Sequence, residues 1–233
     1  DQLIHDVALQ RLGIVLAMDR AGLVGADGAT HNGVFDISYL GHIPGVAIGA
    51  PKDEAEMFQM LKIGLNYPGI FAVRYPRGNI SKFYEQFPAK EFQLGEGELL
   101  REGSDVALLA LGSMVEVAYR AAQILSGEGT EASILNLRFA KPLDEKLLLE
   151  TIRKTRILFT LEEHNLTGGL GSKVLEFLER RGLASEVLLH RFALPDEFIE
   201  HGSREFLLDR FGLSPEKVAS EIFRRMNASL PLQ

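Results

Sequence analysis

DVALLALGSMVEVAYRAAQILSGEGTEASILNL, residues 105–137, decides the fold. VALLALGS is an apolar run without polar alternation, which predicts a strand buried on both faces. MVEVAYRAAQIL follows at helical periodicity, and SGEG stops it. EASILNL is a second buried strand. Strand, helix, strand in immediate succession is a right-handed βαβ unit with parallel strands. The alternation continues through a helix from near Asp144, the strand RILFTLEE and the helix LGSKVLEFLERRG. The strand EVLLHRFAL follows, and short helices at 203–210 and 215–227 close the chain. The second half therefore reads as a complete small α/β domain, with a mostly parallel sheet and helices on both faces.

Working back from Asp105, residues 79–104 lose apolar periodicity and are dominated by Lys, Glu, Gln and Gly. They predict a connection, with room for a short strand or hairpin. Before it, IVLAMD (14–19), VAIGAP (46–51) and FAVRYPRG (71–78) predict three buried strands. KDEAEMFQMLKIGLNY (52–67) predicts an amphipathic helix with Ala55, Phe58, Met60, Leu61 and Leu65 near one face, and acids in its first turn. DQLIHDVALQR places Leu3, Ile4, Val7 and Ala8 on one helical face. Asp1 is either its N-cap or a cut point in a longer chain. Three strands and two helices make only part of a domain. The expected division is 1–80, a connection at 81–104, and 105–233.

A net charge of −7, from 25 basic and 32 acidic residues, argues against nucleic acid as a partner. It leaves small anions open, since those need only a few local cations. The chain has no cysteine, so disulfides and thiolate metal sites are excluded. No apolar run approaches ~20 residues, and the first residues lack a signal pattern. A cytoplasmic protein without membrane contact is the expectation.

In open parallel sheets, ligands bind beyond the carboxyl ends of the strands. DRAGLVGADGATHNGVFD (19–36) lies there, with four glycines and few side chains able to build a core. Its glycines suit a backbone that passes close to a ligand. Arg20 follows the first strand and Arg77 the third. If these strands are neighbours, two planar guanidiniums face one crevice and suit a phosphate or carboxylate. The plainer alternative is that each pairs with a nearby acid. His31, with Asp27 in the same loop, could form an acid–base pair; a histidine bonded within its own loop is the competing reading. His5, His42, His164, His190 and His201 read as surface or strand-end residues. TGGLGS (167–172) reads as a tight packing turn rather than a phosphate loop. EEH (162–164) is rejected as a ligand set, because neighbours on a strand face opposite ways.

DRAGLVGADGATHNGVFD closely resembles the 1-deoxy-D-xylulose-5-phosphate synthases, thiamine-diphosphate enzymes of the transketolase superfamily. The similarity continues through YLGHIPG, APKDEAEMFQML, AVRYPRGN, LRFAKPLDE, EEHNLTGGLGS and LPDEFIEHG. It implies a partial transketolase-type pyrimidine-binding domain followed by a complete transketolase C-terminal-type domain. It implies a transferase that condenses pyruvate with D-glyceraldehyde 3-phosphate, releasing carbon dioxide, in isoprenoid and thiamine biosynthesis. It also implies thiamine diphosphate and Mg²⁺ as cofactors, and a homodimer. Arg20 and Arg77 match the family's arginines for the aldehyde's phosphate. Asp27 and His31 match loop residues beside the reacting carbon. No residue here matches the diphosphate site. The family's Gly-Asp-Gly has its asparagine well downstream, whereas ADG (26–28) is followed too soon by Asn32. The activating glutamate precedes the helix with which this chain opens, and Glu54 comes too late. The resemblance thus implies the C-terminal part of a synthase, inactive without its N-terminal half. Half of another transketolase-superfamily enzyme, such as a transketolase or a 2-oxoacid dehydrogenase β subunit, is one alternative. A non-catalytic anion-binding or assembly module is the other.

Overall fold

A computed structural model describes residues 1–229; residues 230–233, the end of the expected second domain, lie outside the described residues. A short π-helical segment, Leu3–Ala8, opens the chain. Its Leu3, Ile4, Val7 and Ala8 pack on the core. Asp1 does not cap it with its side chain; its backbone carbonyl accepts from the amides of Ile4 and His5. The first sheet contains β1 (Ile14–Met18), β2 (Val46–Gly49) and β3 (Ile70–Arg74). In space the order is β1-β3-β2, all parallel, so β1 and β3 are indeed neighbours. β2 and β3 are fully buried, but β1 lies at the sheet edge and is only partly covered. Helices α1 (Asp36–Gly41) and α2 (Glu54–Leu65) complete this half.

The second sheet has the order β4-β6-β5-β8-β9. Its strands are β4 (Glu98–Arg101), β5 (Val106–Ala110), β6 (Ala132–Asn136), β8 (Ile157–Asn165) and β9 (Leu188–Leu194). β4 is antiparallel to β6, and the others run parallel. β4 comes from the connecting stretch, which also holds a 3₁₀ turn, Lys82–Gln86. The expected α/β architecture is therefore present. Between β6 and β8 the chain makes a three-residue strand, β7 (Phe139–Lys141), antiparallel to β2. The second half thus supplies the first sheet with its fourth strand.

α3 (Met114–Gly127), α6 (Arg204–Arg210) and α7 (Pro215–Ser229) cover one face of the second sheet. α4 (Glu145–Lys154) and α5 (Leu170–Arg180) cover the other. That second core continues without a break into Ile37, Ile48 and Ala72 of the first half. Burial of apolar surface stabilises by roughly 25 cal/mol per Å², so a shared core joins the two halves as one packed body.

The expected face of α2 is only partly right: Met60 is buried and Leu61 packs on the core. Its buried line is Glu56, Met60 and Gly64, while Phe58 and Leu65 are 58% and 79% exposed. Periodicity favours apolar residues, but this helix packs through a carboxylate that has its own partners. Glu56 accepts from Arg138 Nε at 2.6 Å and Asn136 Nδ2 at 2.8 Å, both from the second half. Asp53 caps the same helix through the amide of Glu56.

Candidate active site at the carboxyl ends of the first sheet

Met18 on β1 lies beside Arg74 on β3, so the residues after each strand emerge at one edge. Arg20 follows β1 with a left-handed φ of +61°. It turns the chain into a loop whose neck is closed by Gly22 N to Gly33 O (2.8 Å) and Gly33 N to Gly22 O (2.9 Å). Within the loop, Asn32 Oδ1 accepts from Val24 N at 2.8 Å. Leu23, Val24 and Val34 are buried, so the loop carries more core than its glycines suggest.

The expectation that those glycines make room for a ligand is corrected by what lies against them. Gly22 has φ +83°, and a Cβ there would sit 2.6 Å from Cδ of Glu163. A Cβ at Gly25 would strike the carbonyl oxygen of Gly202, and one at Gly28 the ring of His201. For these three glycines the close neighbour is the second half of the molecule, and for Gly33 it is the backbone of Arg20. Asn32 Nδ2 donates to Ile199 O at 3.2 Å, and Gly202 N to Gly25 O at 3.2 Å.

Arg77 Nη1 donates to Asp27 Oδ2, an ion pair with side chains 55% and 29% exposed. Arg20 pairs with its neighbour Asp19. His31 is exposed, with Nδ1 2.9 Å from Thr30 Oγ1. Thus Arg77 and Asp27 are brought together, while Arg20 and His31 make their contacts with adjacent residues. Arg77 also lines a cleft of about 610 Å³ between the two halves, together with Lys52, Tyr75, Tyr84, Ser113 and Arg204.

Several buried polar residues near this edge carried no functional expectation. Arg74 Nε donates to Asp36 Oδ2 at 2.7 Å, both side chains about 5% exposed or less. His164 is fully buried rather than a surface residue, with Nε2 3.7 Å from Asp36 Oδ1. Burial and the charge of Arg74 hold its imidazole down at about 4. Of the other histidines expected at the surface, His190 is half-buried against Phe159 and Phe192. Glu162 accepts from the amides of Leu170 (2.5 Å) and Gly171 (2.8 Å) at the start of α5. Burial pushes it up to about 7 despite those bonds. TGGLGS is therefore a packing turn whose helix N-terminus is filled by the protein's own carboxylate. Glu163 faces the other way, toward the loop, with Leu23 N donating to Oε1 at 2.8 Å. A charged residue inside an apolar run, as in FAVR and FTLEEH, was the available signal for these buried groups.

The residues present do not fit a diphosphate–metal site. Among the described residues no three His, Asp or Glu side chains cluster as ligands. The buried glutamates Glu56, Glu162 and Glu163 are all spent on protein donors, and Glu54 is exposed at the start of α2.

The family model described as transketolase, pyrimidine binding domain matches residues 1–82, and that of the transketolase C-terminal domain matches 95–218. A 1-deoxy-D-xylulose-5-phosphate synthase of Pelotomaculum thermopropionicum is 50% identical over 227 residues, covering 97% of this chain and 35% of that protein. One from Heliobacterium modesticaldum is 47% identical over 219 residues, 94% of this chain and 34% of that protein. One from Desulforudis audaxviator is 46% identical over 234 residues, 100% of this chain and 37% of that protein. The chain spans about a third of the length of these relatives. A split gene transketolase, described as an inactive beta4 tetramer, superposes with a TM-score of 0.83 at 28% identity, covering 96% of this chain and 69% of that one. A Campylobacter jejuni transketolase superposes at 0.70 with 19% identity, over 94% of this chain and 32% of that one; it is similar in fold.

Proposed function

The chain belongs to the transketolase family, and on that premise we propose that it forms the pyrimidine-side and C-terminal part of a 1-deoxy-D-xylulose-5-phosphate synthase. The observation that carries this reading is the run of synthase relatives at 46–50% identity across nearly the whole chain. A transketolase half is the weaker reading, since the split transketolase is 28% identical. The substrates are pyruvate and glyceraldehyde 3-phosphate, and the products are deoxyxylulose phosphate and carbon dioxide.

Arg77 and Arg20 hold the aldehyde's phosphate. Their partners Asp27 and Asp19 are exchangeable, because a solvent-exposed ion pair is worth only about 0–1 kcal/mol. A dianionic phosphate offers a guanidinium two charge-assisted bonds in one plane, which is the stronger arrangement. Release of Asp27 from Arg77 would leave that carboxylate beside the reacting centre. His31 has Nδ1 engaged by Thr30, so the nitrogen it offers for proton transfer is Nε2.

Thiamine diphosphate supplies the carbanion chemistry of this family when bound. Its diphosphate, its Mg²⁺ and the activating carboxylate have no fitting residues among those described, so a complementary N-terminal part supplies them. A homodimer in the cytoplasm is the assembly that goes with this reading. Exposed Leu9, Leu12, Phe58 and Leu65 are consistent with a surface that is covered in the assembly.

The test is turnover. The chain alone, given thiamine diphosphate, Mg²⁺ and both substrates, is expected to release no carbon dioxide. The chain combined with a synthase N-terminal part is expected to make deoxyxylulose phosphate. Turnover by the chain alone, or a combined enzyme that makes another product, overturns the proposal.

A further inference from the structure

We infer that Glu163, on β8 of the second half, is a positioning residue that sets the course of the loop carrying Arg20, Asp27 and His31. The inference rests on the reading of that loop as part of the active site. Glu163 is 2% exposed, and both carboxylate oxygens are doubly engaged. Oε1 accepts from Leu23 N at 2.8 Å and from Arg204 Nε at 2.9 Å. Oε2 accepts from Ser113 Oγ at 2.8 Å and from Arg204 Nη2. Three of these donors belong to the second half, and one is the backbone of the loop. The carboxylate is therefore held in place by Ser113 and Arg204, and the loop is hung from it.

The contact lies at the loop's entry. Leu23 comes three residues after Arg20, and the Gly22–Gly33 neck closes beside it. Gly22 has no room for a side chain because Glu163 occupies that space. The backbone carbonyl of Glu163 accepts from Arg74 Nη2 at 3.3 Å, and the same nitrogen donates to Gly33 O at 3.3 Å. Both ends of the neck are thus referenced to one residue. Ser113 and Arg204 also line the cleft that Arg77 borders. One carboxylate ties together the loop, two residues of the cleft lining and β8. A buried charge-assisted bond to a backbone amide is both strong and directional, and reacting groups misplaced by about 1 Å can cost around 10²-fold in rate. The C-terminal half then serves the reaction without touching substrate.

Two variants separate the length of this side chain from its charge. Glu163→Asp keeps the charge for Arg204 but is one methylene too short to reach Leu23. Glu163→Gln keeps the length and, with its oxygen at the Oε1 position, the acceptor for Leu23 N, while its amide nitrogen at the Oε2 position gives up the bond from Arg204 Nη2 and donates to Ser113 Oγ instead. Peptide-resolved hydrogen exchange on the chain reads the loop directly. Residues 19–36 are expected to exchange at least about tenfold faster in Glu163→Asp and within about threefold of the parent in Glu163→Gln. Segments 157–165 and 170–180 are expected to keep their protection in both. In the enzyme combined with its N-terminal part, kcat is expected to fall about tenfold in Glu163→Asp and to be largely retained in Glu163→Gln, with the KM for pyruvate little changed. Unchanged loop exchange in Glu163→Asp overturns the inference, as does equal loss of protection in β8 and α5. If the unaltered combined enzyme makes no product, the synthase reading fails, and the exchange data still decide the role of Glu163.

Discussion

Two sets of ion pairs in this molecule use the same residue types for opposite ends. At the carboxyl edge of the first sheet, Arg20–Asp19 and Arg77–Asp27 lie substantially in solvent. Along the seam between the halves, Glu56–Arg138, Arg74–Asp36 and Glu163–Arg204 bury their carboxylates almost completely. Exposed pairs are weak and can be exchanged for a ligand. Buried pairs contribute little net stability when whole, yet they are costly to break because the surviving charge is stranded. The difference teaches that burial, more than residue type, separates candidate binding groups from the frame that holds them.

The comparison breaks first at Glu56. Glu56→Ala takes from buried Arg138 the carboxylate at its Nε, leaving it only Glu98, and is expected to cost about 3 kcal/mol. Urea unfolding of the chain measures it, and a loss below about 1 kcal/mol would place this pair with the exposed ones. Next comes the loop's packing against the second half. Gly25→Ala drives a methyl into the carbonyl of Gly202 and is expected to cost about 1–3 kcal/mol, as overpacking does. The same unfolding assay reads it, and an unchanged midpoint would mean that the loop does not lie against residues 199–204.

A pH series sharpens the buried side. Glu162 sits at about 7 in the fold against an ordinary 4.5, so folding favours its protonated form. Its contribution to stability is lost as pH rises through that window. His164 sits at about 4 against an ordinary 6.5, so its contribution is lost as pH falls through that window. The two slopes oppose each other where the windows overlap. His164→Asn is expected to leave a chain whose urea midpoint falls as pH rises from about 4.5 to 7. Glu162→Gln is expected to leave one whose midpoint rises with pH from about 4 to 6.5. Parallel profiles in the two variants would contradict this assignment. The smallest effect belongs to the exposed side: Asp27→Ala is expected to change stability by less than about 1 kcal/mol.

The architecture was legible because strands such as VALLAL and VAIG are short apolar runs bounded by glycine and polar turns. Long helices such as α3 and α5 announce themselves by period. What escaped depended on partners far along the chain. The face of α2 is legible only at Met60 and Leu61, because its first buried residue is Glu56, whose partner Arg138 lies 82 positions away. β7 is only three residues long and pairs with a strand of the other half. His164 does lie at the end of β8, one residue before Asn165, but nothing in its spacing shows that this strand end is fully buried. Arg77 and Asp27 were both named as candidates, yet spacing gives no reason to join residues 50 positions apart. The resemblance located the loop, and three of its glycines, Gly22, Gly25 and Gly28, lie against the neighbouring half.

The central claim is that the exposed arginines serve the phosphate of the aldehyde substrate. Its most direct test compares glyceraldehyde 3-phosphate with unphosphorylated glyceraldehyde in the combined enzyme carrying Arg77→Ala. Loss of charge-assisted bonds worth about 1.5–3 kcal/mol each predicts a KM for the phosphorylated aldehyde raised at least about tenfold, with that for glyceraldehyde unchanged. An unchanged KM for glyceraldehyde 3-phosphate, or an equal rise for both aldehydes, would contradict it.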